Sequence, residues 1–281
     1  MTDKYAVFGN PIQQSKSPQI HQLFAEQFDL DISYRKQQPD EDGFAEAAEK
    51  FFAEGGRGMN ITTPFKDDAY QFANQLTPRA RRAGAVNTLK AVGEERGGEL
   101  VGEVLGDTTD GVGMVRDIRD NLGWKISGKR ILILGAGGAV RGVLADLLEE
   151  NPESLTIANR TAAKAVSLAK GFQDLGAING IGLAELEGEQ FDMIINGTSI
   201  SVAGGSLDLP TSIFASEGVA YDMGYAADLT PFLAWAHSHA SSYSDGRGML
   251  VEQAAESFFI WTGYRPDTET VKLELNQMVA S

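Results

Sequence analysis

The 281-residue sequence contains no cysteine and only three histidines, His21, His237 and His239. Without cysteine there is no disulfide or thiolate chemistry, and no histidine has metal-ligand spacing with an acidic residue, so no metal site is expected. Long apolar runs are also missing: no stretch approaches the ~20 residues that span a bilayer, and the first residues lack an apolar signal core. These absences predict a soluble, cytoplasmic protein.

Basic residues are few, since 24 lysines and arginines stand against 39 aspartates and glutamates, giving a formal net charge of -15. Nucleic acid and anionic membranes are bound through basic surface, so neither is expected as a partner. An acidic protein that binds an anion must use local cations and backbone dipoles. Each lysine or arginine beside a helix start is therefore informative.

A strand, a glycine turn and a helix are predicted in succession. Arg130–Leu134 is an apolar, β-branched run, the turn 135–139 contains three glycines, and Val140 opens a series of apolar residues at helical spacing. In such a βαβ unit, glycines let the backbone approach a pyrophosphate, and the helix N-terminus supplies N–H groups. Because the third fingerprint position is Val140, the strand-turn-helix context supports a dinucleotide site, with a plain tight turn as the alternative.

The end of the next predicted strand indicates which dinucleotide binds. An acidic residue about 20 residues after the glycines would bond an unphosphorylated ribose. The sequence instead has Asn159, Arg160 and Thr161, followed by Lys164. A guanidinium and an ammonium fit a 2′-phosphate, so NADP is the predicted cofactor. The alternative is that both cations are solvated residues at a helix start.

Strands and helices also alternate in the first hundred residues, which predicts a second α/β layer. Ser17 followed by proline predicts a helix start with Ser17 as N-cap, and Ser15 precedes it in a polar loop. Two hydroxyls, Lys16 and a helix N-terminus together suit a small carboxylate, while capping is the alternative role of Ser17. The predicted strands here are Lys4–Phe8, Ile32–Gln37, Gly58–Thr62, Ala85–Val92 and Leu100–Leu105, with a helix at Phe44–Phe52 and a hairpin turn at Gly93–Gly98.

Thr63 and the proline after it predict another helix start, with Lys66 near its third residue. The positive end of a helix disfavours an ammonium, so this position suits a catalytic amine better than a structural one. Neutralisation by Asp67 and Asp68 is the alternative. Asn87 is predicted inside a strand, where its amide is satisfied by the backbone or recognises a hydroxyl.

Asp110, in the segment GDTTDG, either caps the helix that follows or has a functional role, and the domain boundary is expected beside it. The predicted fold is α/β with two domains: an N-terminal substrate domain (1–109, completed by 246–281) and a Rossmann-type, doubly wound NADP-binding domain (110–245). The later predicted elements are strands at Phe191–Asn196 and Val219–Met223, a flexible loop at Val202–Ser206, and a final helix with Leu250, Ala254, Phe258 and Trp261 on one face.

Eight segments, in this order, resemble the shikimate dehydrogenase family over nearly the whole chain. They are YAVFGNPIQQSKSPQIH, MNITTPFK, AVNT, GDTTDG, LGAGGAVRG, ANRT, YDMGY and DGRGMLVEQAA. The resemblance implies NADPH-dependent reduction of 3-dehydroshikimate to shikimate in aromatic amino acid biosynthesis. Thr108 stands where the family usually has asparagine, and Lys164 where it often has arginine.

The resemblance also implies roles for individual residues. Lys66 and Asp110 become the catalytic pair, and Ser15 and Ser17 hold the substrate carboxylate. The ring hydroxyls bond to Thr62, Asn87 and Gln253. The phosphate turn comprises Gly135, Gly137, Gly138 and Ala139, and the 2′-phosphate meets Asn159, Arg160, Thr161 and Lys164. Thr198, Met223, Tyr225 and Gly246 border the nicotinamide and the substrate.

Two other functions stay open from the sequence. A quinate/shikimate dehydrogenase of the same fold would use quinate and tolerate NAD. A binding module that kept the glycine turn but lost catalysis is the alternative of a different class, although Lys66 and Asp110 argue against it. The oligomeric state, a homodimer included, is not determined by scattered exposed aromatic residues.

Overall fold

The computed structural model describes residues 2–96, 99–198 and 209–280, and it confirms the α/β class. The chain divides into two compact units: unit 1 is Met1–Gly113 with Val251–Leu275, and unit 2 is Met114–Leu250 with Asn276–Ser281. The tip of the predicted hairpin turn at 97–98 and the predicted loop at 202–206 lie outside the described residues. Over the described ranges, none of the helices has the length and apolar character required to cross a bilayer.

The elements follow each other in chain order. The first part contains β1 (Asp3–Phe8), α1 (Ser17–Glu26), β2 (Ile32–Gln37), α2 (Phe44–Ala53), β3 (Gly56–Ile61), α3 (Lys66–Phe72), β4 (Gln75–Leu76), α4 (Pro78–Ala83), β5 (Thr88–Arg96), β6 (Glu99–Asp107) and α5 (Asp110–Arg116). A π-helical turn (Asp117–Asn121) follows α5. The second part contains β7 (Arg130–Leu134), α6 (Gly138–Arg141), α7 (Leu144–Glu149), β8 (Ser154–Asn159), α8 (Ala162–Lys170), β9 (Ile178–Gly182), a 3-10 turn (Leu183–Leu186), β10 (Phe191–Asn196), β11 (Phe214–Asp222), α9 (Pro231–Ala236), β12 (Ser242–Ser244), α10 (Arg247–Thr262) and α11 (Glu269–Ala280).

Unit 1 contains a sheet in the order β2-β1-β3-β5-β6-β4. Strands β1 and β3 are parallel and finish together at Phe8 and Ile61. Strand β5 runs the other way, so its first residue, Thr88, pairs with Asn60 near the end of β3 and with Asp107 at the end of β6. The loops after β1, β3 and β6 and the loop before β5 therefore meet at one edge of this sheet.

Aromatic packing forms much of the unit 1 core. Phe44 of α2 lies 6.0 Å from Phe8 and 5.4 Å from Phe65 between ring centroids. Helix α10 contributes Trp261, which stacks on Tyr5 at 4.9 Å and donates Nε1–H to a backbone carbonyl of β5. The buried face predicted for a final helix lies on α10, which α11 follows, and it is confirmed at Ala254, Phe258 and Trp261, whereas Leu250 is only half-buried.

His21 of α1 is fully buried in this core. Its ring stacks on Tyr34 at 4.5 Å, and its Nε2 lies 3.1 Å from the side-chain oxygen of Asn60. Burial lowers the pKa of His21 to about 3, because the charged form loses its hydration, while the hydrogen bond to Asn60 acts in the opposite direction. The imidazole is therefore neutral in the fold throughout the physiological range.

This neutral histidine makes the stability of unit 1 pH-dependent. In the unfolded chain the imidazole takes up a proton near pH 6.5, but in the fold it does so only near pH 3. The stabilisation of the fold by neutral His21 is therefore fully present above pH 6.5, and it is lost as the pH falls from 6.5 toward 3. His21→Gln should reduce the drop in unfolding free energy between pH 7 and pH 5 by about 2 kcal/mol, measured by urea denaturation. An unchanged drop in His21→Gln, or an equal reduction in the exposed control His237→Gln, would contradict this.

Unit 2 contains a parallel sheet in the order β12-β11-β10-β7-β8-β9. Numbered from β7, this is the Rossmann order, and the direction of winding reverses between β7 and β10. Alternate residues of β7 enter separate clusters: Ile131 and Ile133 pack with α7 and α8, while Leu132 and Leu134 pack with α9. Both faces of the sheet are thus covered, as a doubly wound fold requires.

The helix predicted after the glycine turn is interrupted. Helix α6 ends at Arg141, and α7 begins at Leu144 after a turn at Gly142 and Val143. The apolar residues at helical spacing are nevertheless buried, since Val140, Val143, Leu144 and Leu147 all belong to one core cluster. The sequence therefore predicted correctly which of these residues are buried, but it did not predict the break between α6 and α7.

Candidate functional site

The loop after β1 brings two serine hydroxyls together. The Ser15 hydroxyl donates to the Ser17 hydroxyl at 3.2 Å, and the Ser17 backbone N–H donates to the Ser15 hydroxyl at 3.3 Å. Ser17 is the first residue of α1, and the N-cap is Lys16, so the prediction of Ser17 as N-cap is wrong. Its hydroxyl pairs with Ser15 instead of a helix N–H group.

The loop after β3 places Lys66 at the start of α3. The prediction that Thr63 opens the helix is wrong, because the Phe65 N–H bonds to the Thr62 carbonyl at 3.1 Å and closes a turn before the helix. Lys66 is consequently the first helical residue rather than the third. Its carbonyl accepts from the Val86 N–H at 3.0 Å, which ties it to the segment before β5.

Lys66 and Asp110 form an ion pair. The Lys66 Nζ lies 2.5 Å from Asp110 Oδ2, and the two side chains are 22% and 12% exposed. Such a partly desolvated pair is less screened than a surface pair but still open to a ligand. Local sequence indicated Lys66 and Asp110 separately and the family resemblance paired them, and in the fold the two side chains are in contact.

The ion pair belongs to a larger polar group, the Lys66–Asp110 cluster, which also contains Asn87, Thr109 and Gln253. Asn87 Nδ2 donates to Asp110 Oδ1 at 2.8 Å and lies 3.4 Å from Gln253 Oε1. Asn87 Oδ1 accepts from the Thr109 N–H at 2.9 Å. Asn87 lies just before β5 rather than inside it, so its predicted position was wrong, although it is buried as expected.

Helix α10 reaches this cluster because α5 approaches it closely at a glycine. A Cβ atom on Gly113 would lie 2.6 Å from the backbone nitrogen of Gln253, well inside the contact distance. Any larger residue at Gly113 would push the two helices apart. The position therefore sets the distance between Asp110 at the start of α5 and Gln253 on α10.

The glycine turn of unit 2 follows β7 beside the point where winding reverses. Gly135 has a φ of +102°, and a Cβ on it would lie 3.1 Å from Thr198 Cγ2, so a side chain is disfavoured on both grounds. Gly137, Gly138 and Ala139 are exposed, and a Cβ on either glycine would have open space around it. The backbone of this turn is accessible to a ligand, as a pyrophosphate site needs.

The end of β8 presents two cations to solvent. Arg160 and Lys164 are exposed, and among the residues described neither forms an ion pair. Asn159 Nδ2 donates to the Thr161 carbonyl at 3.0 Å, which shapes the turn between them. Because β7 and β8 are adjacent parallel strands, these cations and the glycine turn follow neighbouring strand ends.

The remaining predicted residues of unit 2 lie on turns after β10, β11 and β12. Gly246 N–H donates to the Gly224 carbonyl at 3.0 Å, and a Cβ on Gly246 would lie 2.3 Å from the Met223 carbonyl oxygen. Tyr225 is half-buried, and burial, followed by the nearby Asp245 carboxylate, raises the pKa of its hydroxyl. Its phenol therefore stays protonated and can donate a hydrogen bond.

Sequence reasoning missed several buried polar residues beside the predicted ones. Thr109 joins the Lys66–Asp110 cluster, and its position in GDTTDG was the available signal. Asn196 and Asp222 are 0% and 1% exposed at the ends of β10 and β11. A polar residue that ends an apolar strand was the signal there, but nothing local indicated that the two side chains meet.

Family profiles match three parts of the chain. A profile described as the shikimate dehydrogenase substrate binding domain matches residues 7–89. One described as shikimate / quinate 5-dehydrogenase matches residues 117–202, and one described as the shikimate 5'-dehydrogenase C-terminal domain matches residues 246–272. The matches thus fall in both units.

Whole-chain relatives agree with these profiles. A protein named shikimate dehydrogenase (NADP(+)) from Cellvibrio japonicus is 52% identical over 280 residues, 99% of each chain. The crystal structure of an Ael1 enzyme from Pseudomonas putida gives a TM-score of 0.88 at 41% identity and 98% coverage of both chains. Shikimate 5-dehydrogenase from Thermus thermophilus, solved with NADP(H) and shikimate, gives 0.85 at 28% identity, covering 99% of this chain and 100% of that one. The chain belongs to the shikimate dehydrogenase family.

Proposed function

We propose that this protein is an NADP-dependent shikimate dehydrogenase, which reversibly reduces 3-dehydroshikimate to shikimate. The observation that carries the proposal is the Lys66–Asp110 ion pair at the sheet edge, bonded to Asn87 and near Gln253. Reduction of a ketone leaves charge on its oxygen and requires a proton donor there. The cluster offers one cation and several hydroxyl-binding groups at a single place in unit 1.

The Ser15 and Ser17 hydroxyls hold the substrate carboxylate in this proposal. The two hydroxyl oxygens lie 3.2 Å apart, so each hydroxyl can donate a hydrogen bond to one oxygen of the same carboxylate. Each hydroxyl can turn its proton toward an anion without moving the backbone. Asn87, Thr62 and Gln253 then bond the ring hydroxyls, because amide and hydroxyl groups both donate and accept.

The Lys66 Nζ gives its proton to the carbonyl oxygen, and Asp110 holds Lys66 in place through its Oδ2. When bound, NADPH supplies the hydride that reduces the carbonyl carbon. Stabilisation of charge that develops only during the reaction raises turnover rather than substrate affinity. In the oxidation of shikimate the same pair takes up the hydroxyl proton, so the roles reverse.

The residues of unit 2 fit NADP. The turn Gly135–Ala139 exposes backbone to a pyrophosphate, and a Cβ on Gly137 or Gly138 would meet no atom within 4 Å. Arg160 and Lys164 are exposed cations beside the next strand end, available for a 2′-phosphate. We assign unit 2 to the cofactor and unit 1 to the substrate on these grounds.

Steady-state oxidation of shikimate and of quinate, each with NADP and with NAD, tests the proposal through nicotinamide absorbance. Turnover of shikimate with NADP alone is the expected result. Comparable rates with quinate or NAD would favour the broader quinate/shikimate dehydrogenase, which the description of the profile on residues 117–202 includes. Absence of turnover in every pairing would leave a binding module and contradict the proposal.

Ser17→Ala should raise the KM for shikimate roughly tenfold through a lost bond to the carboxylate, with kcat little changed. Because Ser17 is not the N-cap, the unfolding free energy should not fall by the ~1 kcal/mol of a lost cap. Thr77→Ala is the matched control, since the Thr77 hydroxyl accepts from the Ala80 N–H and does cap α4. Thr77→Ala should lower the free energy of unfolding and leave the KM for shikimate unchanged. If Ser17→Ala lowered stability without raising KM, the assignment of Ser17 to the carboxylate would be wrong.

A further inference from the structure

We infer that Asn196 and Asp222 are positioning residues for the nicotinamide half of the cofactor, an inference that rests on the NADP-dependent function proposed above. They are the last residues of β10 and β11, and they pair with each other in the parallel register. Both side chains are buried, so neither reaches a ligand directly. Their effect must pass through the groups they bond.

Asn196 holds the turn after β10. Its Oδ1 accepts from the Thr198 N–H at 3.1 Å and from the Thr198 hydroxyl at 2.7 Å. Its Nδ2 donates to Asp222 Oδ1 at 3.0 Å. The amide thereby fixes both the backbone and the side-chain rotamer of Thr198, which lies against Gly135 of the phosphate turn.

Asp222 holds the turn after β11. Its Oδ1 also accepts from the Gly224 N–H at 3.0 Å, and its Oδ2 accepts from the Thr230 hydroxyl at 2.5 Å. Gly224 in turn accepts from the Gly246 N–H. Three turns that carry the proposed nicotinamide contacts are therefore fixed, directly or through one bond, by a single amide–carboxylate pair.

Fold stability alone does not account for polar residues at these two positions. Burial raises the pKa of Asp222, because the carboxylate loses its hydration, while its hydrogen bonds to Thr230, Gly224 and Asn196 act in the opposite direction. An apolar pair would avoid that cost, as at Ile194 and Ala220, a pair on the same two strands whose side chains are fully buried. What the polar pair adds is the geometry of the turns, and hydride transfer is sensitive to displacements of about 1 Å.

The test compares the whole cofactor with its adenosine half. Asn196→Ala should weaken NADP+ binding and lower kcat, each roughly tenfold or more, because Thr198 loses its acceptor. Binding of 2′,5′-ADP, which lacks the nicotinamide, should change by less than about twofold. Both dissociation constants are measured by isothermal titration calorimetry on the full chain.

A structural role predicts a different pattern. Loss of stability with both ligands equally affected, or with neither affected, would overturn the inference. Thr156→Val is the matched control, because Thr156 and Asn179 form a similar cross-strand side-chain bond of 2.9 Å between β8 and β9. It should leave the ratio of the two affinities unchanged. If Asn196→Ala does not fold, Asn196→Ser, which cannot reach Thr198 and Asp222 together, is judged by the same ratio.

A second pair of variants separates geometry from charge. Asp222→Asn keeps an acceptor for Asn196 and Gly224, so it should retain NADP+ affinity within about threefold, whereas Asp222→Ala should lose it roughly tenfold. An equal loss of NADP+ affinity in the two variants would show that the charge of Asp222 matters instead of its geometry, and would overturn the inference. If the unsubstituted protein binds 2′,5′-ADP but neither binds nor uses NADP+, the proposed function fails first, and the inference fails with it.

Discussion

Replacing Lys66 by alanine is expected to lower kcat for shikimate oxidation by roughly 10²- to 10⁴-fold, the usual contribution of a positioned acid or base. The Lys66 Nζ is bonded to Asp110 and is the proton donor in the proposed mechanism. The dissociation constant for NADP should change by less than about twofold, because the proposed cofactor contacts are made by unit 2. Stopped-flow and steady-state assays give kcat, and calorimetry gives the affinity.

Lys50→Ala is the control for this variant. Lys50 is an exposed lysine in the last turn of α2, in the same unit, and its removal deletes an equal charge. It should leave kcat unchanged. An unchanged kcat in Lys66→Ala would refute the catalytic role, and a large loss of NADP affinity would show that the lysine acts on the cofactor instead.

Arg160→Ala should weaken NADPH binding roughly tenfold to hundredfold, which is the range for a charge-assisted hydrogen bond. NADH lacks the 2′-phosphate, so its affinity should change by less than about twofold. Arg160 is exposed and makes no ion pair within the part of the chain that the structure covers, so its removal should not destabilise the fold. Fluorescence titration of the two reduced cofactors provides both constants.

Lys170→Ala supplies the comparison, since Lys170 is an exposed cation at the far end of α8 from Lys164. Lys170→Ala should change the affinities for NADPH and NADH only slightly, and by the same factor. If Arg160→Ala weakens NADPH and NADH by the same factor, the 2′-phosphate assignment is wrong. If it affects neither, then Lys164 or the turn backbone recognises the phosphate.

Local sequence pattern predicted most strands but not the details of the loops. Ile32–Gln37 and Phe191–Asn196 were predicted with the observed bounds, because their patterns and flanking turns are unambiguous. Ser17 and Thr63 were both wrongly predicted as caps, since Ser-Pro and Thr-Pro carry the same local signal as the true caps at Thr77 and Thr230. The difference arises from tertiary contacts that a local signal does not contain.

The pairing of site residues also depends on long-range register. Lys66 and Asp110 are 44 positions apart, and they meet because β5 runs antiparallel to both of its neighbours. Periodicity predicts that β5 is a strand but not which partner it takes. The contact of Asn196 with Asp222 likewise depends on the parallel register of two strands, which follows from the order of winding rather than from either segment.

The division of unit 1 into two stretches of chain affects how the protein is made. The N-terminus of a nascent chain leaves the ribosome first, so the stretch Val251–Leu275 emerges only after all of 114–250. Gln253 and Trp261 are absent from the nascent chain until then, and Asn60 lacks the Ser257 hydroxyl that accepts from it at 2.9 Å. Because domains generally fold as units during translation, unit 2 can begin to fold before the last stretch of unit 1 has been synthesised. Unit 1, the proposed substrate unit, is therefore completed only after residues 114–250 have emerged, and a ribosome stalled before codon 251 carries a chain in which the Lys66–Asp110 cluster lacks Gln253.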